Sequence, residues 1–112
     1  MLDLNELCKM AYENTKKRAE HEPDIKTETM QALKHCAGEV IEATEAYSGM
    51  STAHSMMEAG RLYAQKRDDF ACELADIICC VLTICGKENL DIEYALTVCM
   101  DKNAKRAERG RK

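Results

Sequence analysis

The sequence predicts an all-α domain, a bundle of about four helices that is completed by association with further copies of the chain. Three observations carry this prediction. Four segments are bounded by residues typical of helix ends, β-branched alternation is absent, and the only proline, Pro23, separates the first two segments. The 112 residues form a single domain, residues 1–112, whose own hydrophobic core is modest.

The first two predicted helices cover about residues 5–20 and 27–47. Pro23 and its acidic neighbours break the chain between them. Thr27 is expected to cap the start of the second helix, and Ser48-Gly49 is expected to end it. The segment 50–66 contains Ser, Gly and Met, and it is predicted to be a loop with a short helix.

The last two predicted helices cover about residues 68–85 and 91–108. Asp68 is expected to start the third helix and Gly86 to end it, while Asp91 is the expected cap of the fourth. From Phe70 onward the third helix reads FACELADIICCVLTIC, and its second half is apolar on nearly every side. Such a helix must be covered all round. We therefore expect it at the centre of a bundle that a second subunit helps to build, in a homodimer or a homotetramer.

Charge and composition argue against several classes of protein. The net charge of −4, from 16 basic and 20 acidic residues, is not that of a dedicated nucleic-acid binder. The apolar run 77–85 is too short to span a bilayer, and the first residues, MLDLNELCKM, show no apolar core of a signal peptide. The seven cysteines include no Cys-x-x-Cys pair, and we expect them to be reduced, buried thiols of a cytoplasmic protein.

Two pairs of carboxylates stand among small or apolar residues without basic neighbours. Glu73 and Asp76 are three residues apart on the third helix, and Glu39 and Glu42 have the same spacing on the second, where Glu45 continues the row. Residues three apart share a helix face. No Lys or Arg occurs between positions 67 and 87 or between positions 34 and 61. Since unpaired buried carboxylates are costly, we expect a cation between the two helices. The alternative is a solvated acidic face, above all at Glu45.

Oxygen ligands alone suit Mg²⁺, Mn²⁺ or Ca²⁺, and Mg²⁺ is commonly held by a few carboxylates together with substrate phosphates. We therefore expect Mg²⁺, with Mn²⁺ as a substitute. A di-iron centre would need Glu-x-x-His pairs, whereas Arg18, Ala32 and Ser51 precede the three histidines at that spacing. His35 stands one turn before Glu39 and could reach the site; the alternative is an ordinary helix-surface or core histidine.

These motifs resemble those of the MazG-type all-α nucleoside triphosphate pyrophosphohydrolases. The resemblance consists of GEVIEATEAY around Glu39 and Glu42, FACELADIICCVLTI around Glu73 and Asp76, and MDKNAKRAERG near the C-terminal end. It covers about residues 30–110, while the first helix matches only in position and amphipathic character. Gly38 stands where many family members carry the first of two adjacent glutamates, so an outer contact of that carboxylate is expected to be absent.

The resemblance implies an enzyme that cleaves NTPs or dNTPs to monophosphate and pyrophosphate, with a housecleaning role in the nucleotide pool. It implies that four residues are metal ligands and catalytic groups: Glu39, Glu42, Glu73 and Asp76. It also implies three residues that contact the substrate phosphates: Lys102, Asn103 and Arg106. Bound Mg²⁺ would neutralise the triphosphate and lower the pKa of a bound water. A solvated basic tail is the alternative for Lys102 and Arg106.

Two other functions stay open. A non-catalytic helical oligomerisation module explains the apolar third helix but not the two acidic pairs. A metal-dependent hydrolase of another phosphate compound would use the same site with a different leaving group. The sequence carries no readable code for base or sugar in the parts expected to line the pocket, which are the first helix, the segment 50–66 and the partner subunit.

Overall fold

The structure, a computed structural model, describes residues 3–25, 27–54 and 59–109. These residues form four α-helices: α1 (Leu4–Ala19), α2 (Thr29–His54), α3 (Ala59–Lys87) and α4 (Ile92–Glu108). No strand occurs among them. The prediction of an all-α fold with four helices is therefore confirmed.

Aspartates cap the beginnings of α1 and α4, and one asparagine holds these two beginnings together. Asp3 accepts a hydrogen bond from the backbone N–H of Asn5 (3.0 Å), and Asp91 accepts one from that of Tyr94 (3.1 Å), which confirms the predicted cap of the fourth helix. The Asn5 side-chain amide donates to Asp91 (3.1 Å) and accepts from the backbone N–H of Ile92 (3.2 Å). As a result, α4 starts beside the start of α1.

The second helix begins and ends later in the sequence than predicted, and it is longer. It begins two residues after Thr27, which therefore does not cap it, and it continues through Ser48-Gly49 to His54. A glycine in a helix interior costs only about 1 kcal/mol. Packing of the Tyr47 ring on Phe70 of α3, with ring centroids 5.4 Å apart, supports the helix at this point and opposes that cost.

The predicted loop 50–66 is wrong for the residues that the structure describes. Residues 51–54 continue α2 and residues 59–66 belong to α3, which thus starts well before Asp68. Residues 55–58 lie outside the described part of the chain. Serine, glycine and methionine were the signal for a loop here, and the long contact between α2 and α3 overrides it.

The third helix ends at Lys87, and the turn that terminates it is made at Asn89 rather than at the predicted Gly86. Asn89 adopts a left-handed backbone conformation (φ 55°), which asparagine tolerates better than most residues. The Leu90 N–H donates to the carbonyl of Cys85 (2.9 Å), and the Asn89 N–H donates to that of Gly86 (3.4 Å). This pair of bonds is the Schellman motif, which satisfies the last carbonyls of the helix.

Within the chain, α3 is the central helix, lying between α1 and α2. It runs antiparallel to α2: Thr29 donates a hydrogen bond to Glu88 near one end of the pair, and Tyr47 meets Phe70 toward the other. On the α1 side, the Thr83 hydroxyl lies 3.4 Å from that of Thr15. In the described part of the chain, no helix, α3 included, is long and apolar enough to cross a membrane.

A single chain buries few side chains and keeps much apolar surface exposed. Among the described residues only Cys8, Ala43 and Cys85 are buried. The radius of gyration is 17.4 Å, against about 13 Å for a compact domain of this length. The accessible surface of 8774 Å² exceeds by roughly 2,600 Å² that of an average folded monomer of the same mass. The chain therefore exposes much more surface than a self-sufficient domain.

The cysteines are free but less buried than expected. All seven are unpaired thiols. Cys8 and Cys85 are buried, whereas Cys72, Cys79 and Cys99 are exposed, so the prediction of burial is wrong for these three in the single chain. Most of the apolar residues next to these three cysteines in the sequence are exposed as well, because no other helix of the single chain covers them.

Gly86 allows α1 to approach α3 closely. A Cβ at this position would overlap the backbone carbonyl of Cys8 and would lie 2.9 Å from the Cβ of Tyr12. The backbone of α1 is not free to move aside, because the Cys8 side chain beside it is only 2% exposed. Burial also raises the pKa of the Cys8 thiol. The contact between α1 and α3 thus depends on the absence of a side chain at Gly86.

Replacing Gly86 by Ala is expected to lower the free energy of unfolding by about 1–3 kcal/mol, because the added methyl group overpacks the contact with α1. Gly38→Ala is the matched control, since nothing lies within 4 Å of a Cβ there. It is expected to raise the free energy of unfolding by about 0.5–1 kcal/mol through its helix propensity. Urea denaturation of both variants measures this, and equal stabilisation by both would contradict the close contact.

Candidate metal site

Three of the four predicted carboxylates meet between α2 and α3. One carboxylate oxygen from each of Glu39, Glu42 and Glu73, called here the acidic triad, lies within 4.8 Å of the other two. The three-residue spacing places Glu39 and Glu42 on one face of α2, and the antiparallel packing places Glu73 opposite them. Oxygens at this separation suit a Mg²⁺ ion that some carboxylates bind directly and others through its waters. The donor set therefore fits this metal.

Asp76, the fourth predicted ligand, is not part of the acidic triad. It lies one turn after Glu73 on α3, and together with Glu39 it lines a cavity beside the triad. The charge of Asp76 raises the pKa of Glu39 and of Glu73, so Asp76 belongs to the same electrostatic cluster. Glu45 is exposed and also lies outside the triad. The role of Asp76 as a ligand stays a prediction.

The carboxylates of the acidic triad repel one another. The Glu39 side chain is only 13% exposed; this burial, together with the hydrogen bond and charge of Glu42, raises its pKa. The pKa of Glu73 is raised first by desolvation and then by the charges of Glu42, Asp76 and Asp69. Ionisation of Glu39 and of Glu73 therefore costs more free energy here than it does for an ordinary glutamate. A bound cation would remove the conflict.

His35 contacts the acidic triad, as its position one turn before Glu39 suggested. Its Nε2 lies 2.9 Å from a carboxylate oxygen of Glu39. The charge of the imidazole works against the other influences on Glu39 and lowers its pKa. His35 itself is largely exposed, so one side of the ring fixes Glu39 and the other faces the solvent. His35 is therefore a helix-surface residue that also contacts the acidic triad.

A cavity of about 430 Å³ opens beside the acidic triad, which is within the usual range for small-ligand sites. Three helices and the turn before α2 contribute to it: Thr15, Arg18, Asp24, Ile25, Gln31, Ala32, His35, Glu39, Asp76, Cys79, Cys80 and Thr83. The first helix, which was expected to line the nucleotide pocket, contributes Thr15 and Arg18 to this cavity. The residues from α3 and from the turn were missed, because their proximity follows from the antiparallel register, which has no local sequence signal.

The cavity offers no activated thiol at Cys80. Burial is the main cause that raises the pKa of this thiol to about 11, and the nearby Cys36, Glu39 and Asp76 add to the effect. A thiol with such a pKa is protonated at neutral pH and is a poor nucleophile. The chemistry of this region therefore depends on its carboxylates.

The predicted phosphate-binding residues lie apart from the acidic triad in the single chain. Lys102, Asn103 and Arg106, called here the basic end, are on α4. Every residue from Tyr94 to Arg109 is exposed, so this helix does not lie packed along α2 or α3. The Asn103 side chain makes a long hydrogen bond (3.9 Å) to the sulfur of Cys99 in its own helix. The role of the basic end in phosphate binding stays a prediction.

Together, these features define a class of protein: an all-α chain with an acidic, metal-competent cluster between two antiparallel helices and a ligand-sized cavity beside it. No family model, curated protein or solved structure matches the chain. The likeness to MazG-type enzymes therefore depends on the sequence motifs alone.

Millimolar Mg²⁺ is expected to raise the Tm of the wild-type protein, because the ion binds the folded state and relieves the repulsion within the acidic triad. Glu73→Gln is expected to abolish this increase. Without Mg²⁺ at pH 7, the same variant is expected to unfold at an equal or higher temperature than wild type. Thermal unfolding followed by circular dichroism, with Mg²⁺ and with EDTA, measures both effects.

The pH dependence of the Tm checks the electrostatic cause. A carboxyl whose pKa is raised by folding destabilises the folded state above that pKa, and the effect vanishes below the unfolded value of 4.5. The Tm advantage of Glu73→Gln in EDTA should therefore shrink as the pH falls toward 4.5. Glu45→Gln removes the same charge outside the acidic triad, and it should keep the Mg²⁺ response; loss of the response there as well would argue against a defined site.

Proposed function

We propose that the protein is a Mg²⁺-dependent nucleoside triphosphate pyrophosphohydrolase, a nucleotide pyrophosphatase of the cytoplasm that removes unwanted nucleotides. The observation that carries the proposal is the acidic triad, in which two helices bring three carboxylates together with no Lys or Arg on the flanking turns. The motif resemblance to MazG-type enzymes supports the proposal from the sequence. The substrates would be NTPs or dNTPs, and the products a monophosphate and pyrophosphate.

In this proposal, Glu39, Glu42, Glu73 and Asp76 hold the metal. When bound, Mg²⁺ supplies neutralisation of the triphosphate charge and a water with a lowered pKa. One of these glutamates would accept the proton of the attacking water. His35 keeps Glu39 oriented toward the other carboxylates.

The cavity beside the acidic triad would hold the nucleoside part of the substrate. It shares Glu39 and Asp76 with the metal cluster, so a molecule in the cavity would direct its phosphates toward the metal. The hydroxyls of Thr15 and Thr83 already donate to the backbone of their own helices at 3.0 and 2.9 Å, and their oxygens can still accept. The cavity thus offers two hydroxyl oxygens as hydrogen-bond acceptors.

A second copy of the chain would complete the domain, as a homodimer or a homotetramer. Two chains together expose roughly 5,200 Å² more than two average monomers, which is at the upper end of what obligate homodimers bury. Large apolar side chains are exposed on all four helices of the single chain: Met10 on α1, Met30, Leu33, Val40, Ile41 and Tyr47 on α2, Leu74, Ile78 and Val81 on α3, and Tyr94, Leu96, Val98 and Met100 on α4. Solvent exposure of that extent is typical of a protein interface.

Pyrophosphate release is expected from at least one member of a panel of standard and modified NTPs and dNTPs. It should require Mg²⁺ or Mn²⁺ and stop in EDTA, because the carboxylates alone repel a triphosphate. Glu73→Gln should lower the rate by at least about 100-fold, the scale of losing a main electrostatic contact in an active site. Glu45→Gln, outside the acidic triad, should keep most of the activity.

Absence of turnover on the whole panel would favour a second candidate, the non-catalytic helical oligomerisation module. The exposed apolar residues on α2, α3 and α4 are the observation that favours it. In that case Glu73→Gln would leave association unchanged, and no nucleotide would protect the chain from unfolding.

Sedimentation at micromolar concentration is expected to give a dimer or a tetramer. Ile78→Lys places a charge in the exposed apolar row of α3, where Ile78 is 58% exposed, and it should shift the protein toward the monomer. Asn14→Lys, on the exposed side of α1, is the control that should leave the assembly intact. A wild-type monomer would contradict the expected association.

A further inference from the structure

Resting on the proposed function, we propose that Lys66 binds the outer phosphates of the nucleotide, the part that leaves as pyrophosphate. A second cavity, called here the Lys66 cavity, lies next to the acidic triad and has a volume of about 330 Å³. That volume is within the range of small-ligand sites. Residues of two helices line it, among them Glu45, Ala46 and Gly49 of α2 and Lys66, Asp69 and Glu73 of α3.

The Lys66 cavity lies on the other side of the acidic triad from the 430 Å³ cavity, called here the nucleoside cavity. On α3, Glu73 lines the Lys66 cavity, and Asp76, one turn later, lines the nucleoside cavity. On the antiparallel α2 the order matches, because Glu45 lines the Lys66 cavity and Glu39 lines the nucleoside cavity. A nucleotide with its nucleoside part in one cavity would therefore extend its phosphates past the triad into the other.

The Lys66 side chain is held in the cleft between the two helices. Lys66 precedes Glu73 by two helical turns on the same face of α3, which is about 10 Å along the helix axis. It is half-buried, and its stem lies close to α2, since a Cβ at Gly49 would be 4.0 Å from the Cδ of Lys66. A lysine has a long stem with three donors at its end. The ammonium group can thus reach a ligand that extends from the triad into the Lys66 cavity.

Lys66 has no ionic partner of its own. Among the described residues, each of the two cavities is lined by one Lys or Arg. In the nucleoside cavity this is Arg18, which Glu22 already engages through two hydrogen bonds (3.1 and 3.3 Å). Lys66 forms no ion pair within the part of the chain that the structure describes, although three carboxylates line the same cavity. A half-buried ammonium group without a partner is free to bind an anionic ligand.

A cation at this position suits the leaving group of the proposed reaction. A water oxygen bonds to the α-phosphorus, a carboxylate accepts the proton of that water, and the bond from the α-phosphorus to the bridging oxygen breaks. Pyrophosphate leaves with the bridging oxygen and the electron pair, so negative charge grows on the side of the Lys66 cavity. A positioned cationic donor stabilises such a charge as it develops, and lysine is a common ligand of phosphate oxygens.

Calorimetric titration with inorganic pyrophosphate in the presence of Mg²⁺ tests the inference without any turnover. Lys66→Met removes the charge and keeps an unbranched side chain. It is expected to weaken the binding of pyrophosphate by about 10- to 100-fold, which is the scale of one hydrogen bond to a charged group. Lys66→Arg keeps a cation and should retain most of the affinity.

Lys34→Met is the matched control. Lys34 is exposed on α2, five residues before Glu39, and it lines neither the Lys66 cavity nor the nucleoside cavity. The control removes the same charge at a similar distance along a helix from the acidic triad, and it should leave the affinity for pyrophosphate unchanged. An equal loss of affinity in both variants would mean that only the total charge matters, and it would overturn the inference.

Product inhibition tests the direction in which the nucleotide lies. For an NTP that the protein hydrolyses, Lys66→Met should lower kcat/KM and raise the inhibition constant of pyrophosphate, each by about 10- to 100-fold. The inhibition constant of the nucleoside monophosphate should stay the same, because that product has no outer phosphates. An increase for the monophosphate alone would reverse the direction and overturn the inference.

A lysine that only offsets the charge of its neighbours is the competing explanation. In that case Lys66→Met would lower the Tm, through lost attraction to Glu45 and Asp69, and would bind pyrophosphate as wild type does. That result overturns the inference, and so does a wild-type protein that fails to bind millimolar pyrophosphate with Mg²⁺. Lys66→Met should also keep the increase in Tm with Mg²⁺; without it, the weaker binding would come from a damaged metal site.

The titration separates this inference from the proposed function. Weaker binding of pyrophosphate by Lys66→Met, together with no hydrolysis of any nucleotide, would support the phosphate-binding role of Lys66 and sink the proposed reaction. Hydrolysis of an NTP by wild type and by Lys66→Met at equal kcat/KM, with equal binding of pyrophosphate, would do the reverse.

Discussion

The antiparallel packing of α2 on α3 is the contact on which the rest of the molecule depends. It sets Glu39 and Glu42 opposite Glu73, and it thereby brings three like charges together. This arrangement opposes stability, because the neighbouring carboxylates raise the pKa of Glu39 and of Glu73. Around this contact, α1 adds a second wall through Gly86, and the cavity lies where the three helices meet.

The sequence predicts the parts of this architecture that depend on local chemistry. The cap at Asp91 and the grouping of the glutamates follow from residue type and spacing, and the all-α class follows from the helix-end signals and the absence of alternation. The ends of α2 and α3 do not, because contacts such as Tyr47 on Phe70 override the Ser48-Gly49 signal. The cavity and the place of Asp76 outside the triad depend on how the helices are set against each other, which no short segment specifies.

The open shape of the single chain has a thermodynamic meaning. With three buried side chains among the described residues, the hydrophobic term of one copy is small against the entropy of ordering four helices. Folding and association would then be one equilibrium, and the measured stability would rise with protein concentration. In the proposed assembly, the surface that weakens the single chain would also make association selective, since a partner must match its distribution of charged and apolar residues.

The Schellman turn at Asn89 has a consequence for how this kind of chain can vary. Because α4 follows that turn directly, each residue inserted or deleted there would rotate the whole of α4 by about 100° about its axis and shift it by about 1.5 Å. Lys102 and Arg106 would then point in a new direction although neither had changed. The number of residues in this short turn thus determines the direction in which each side of α4 faces. Substitutions along α4 are more easily tolerated than a change in the number of residues before it.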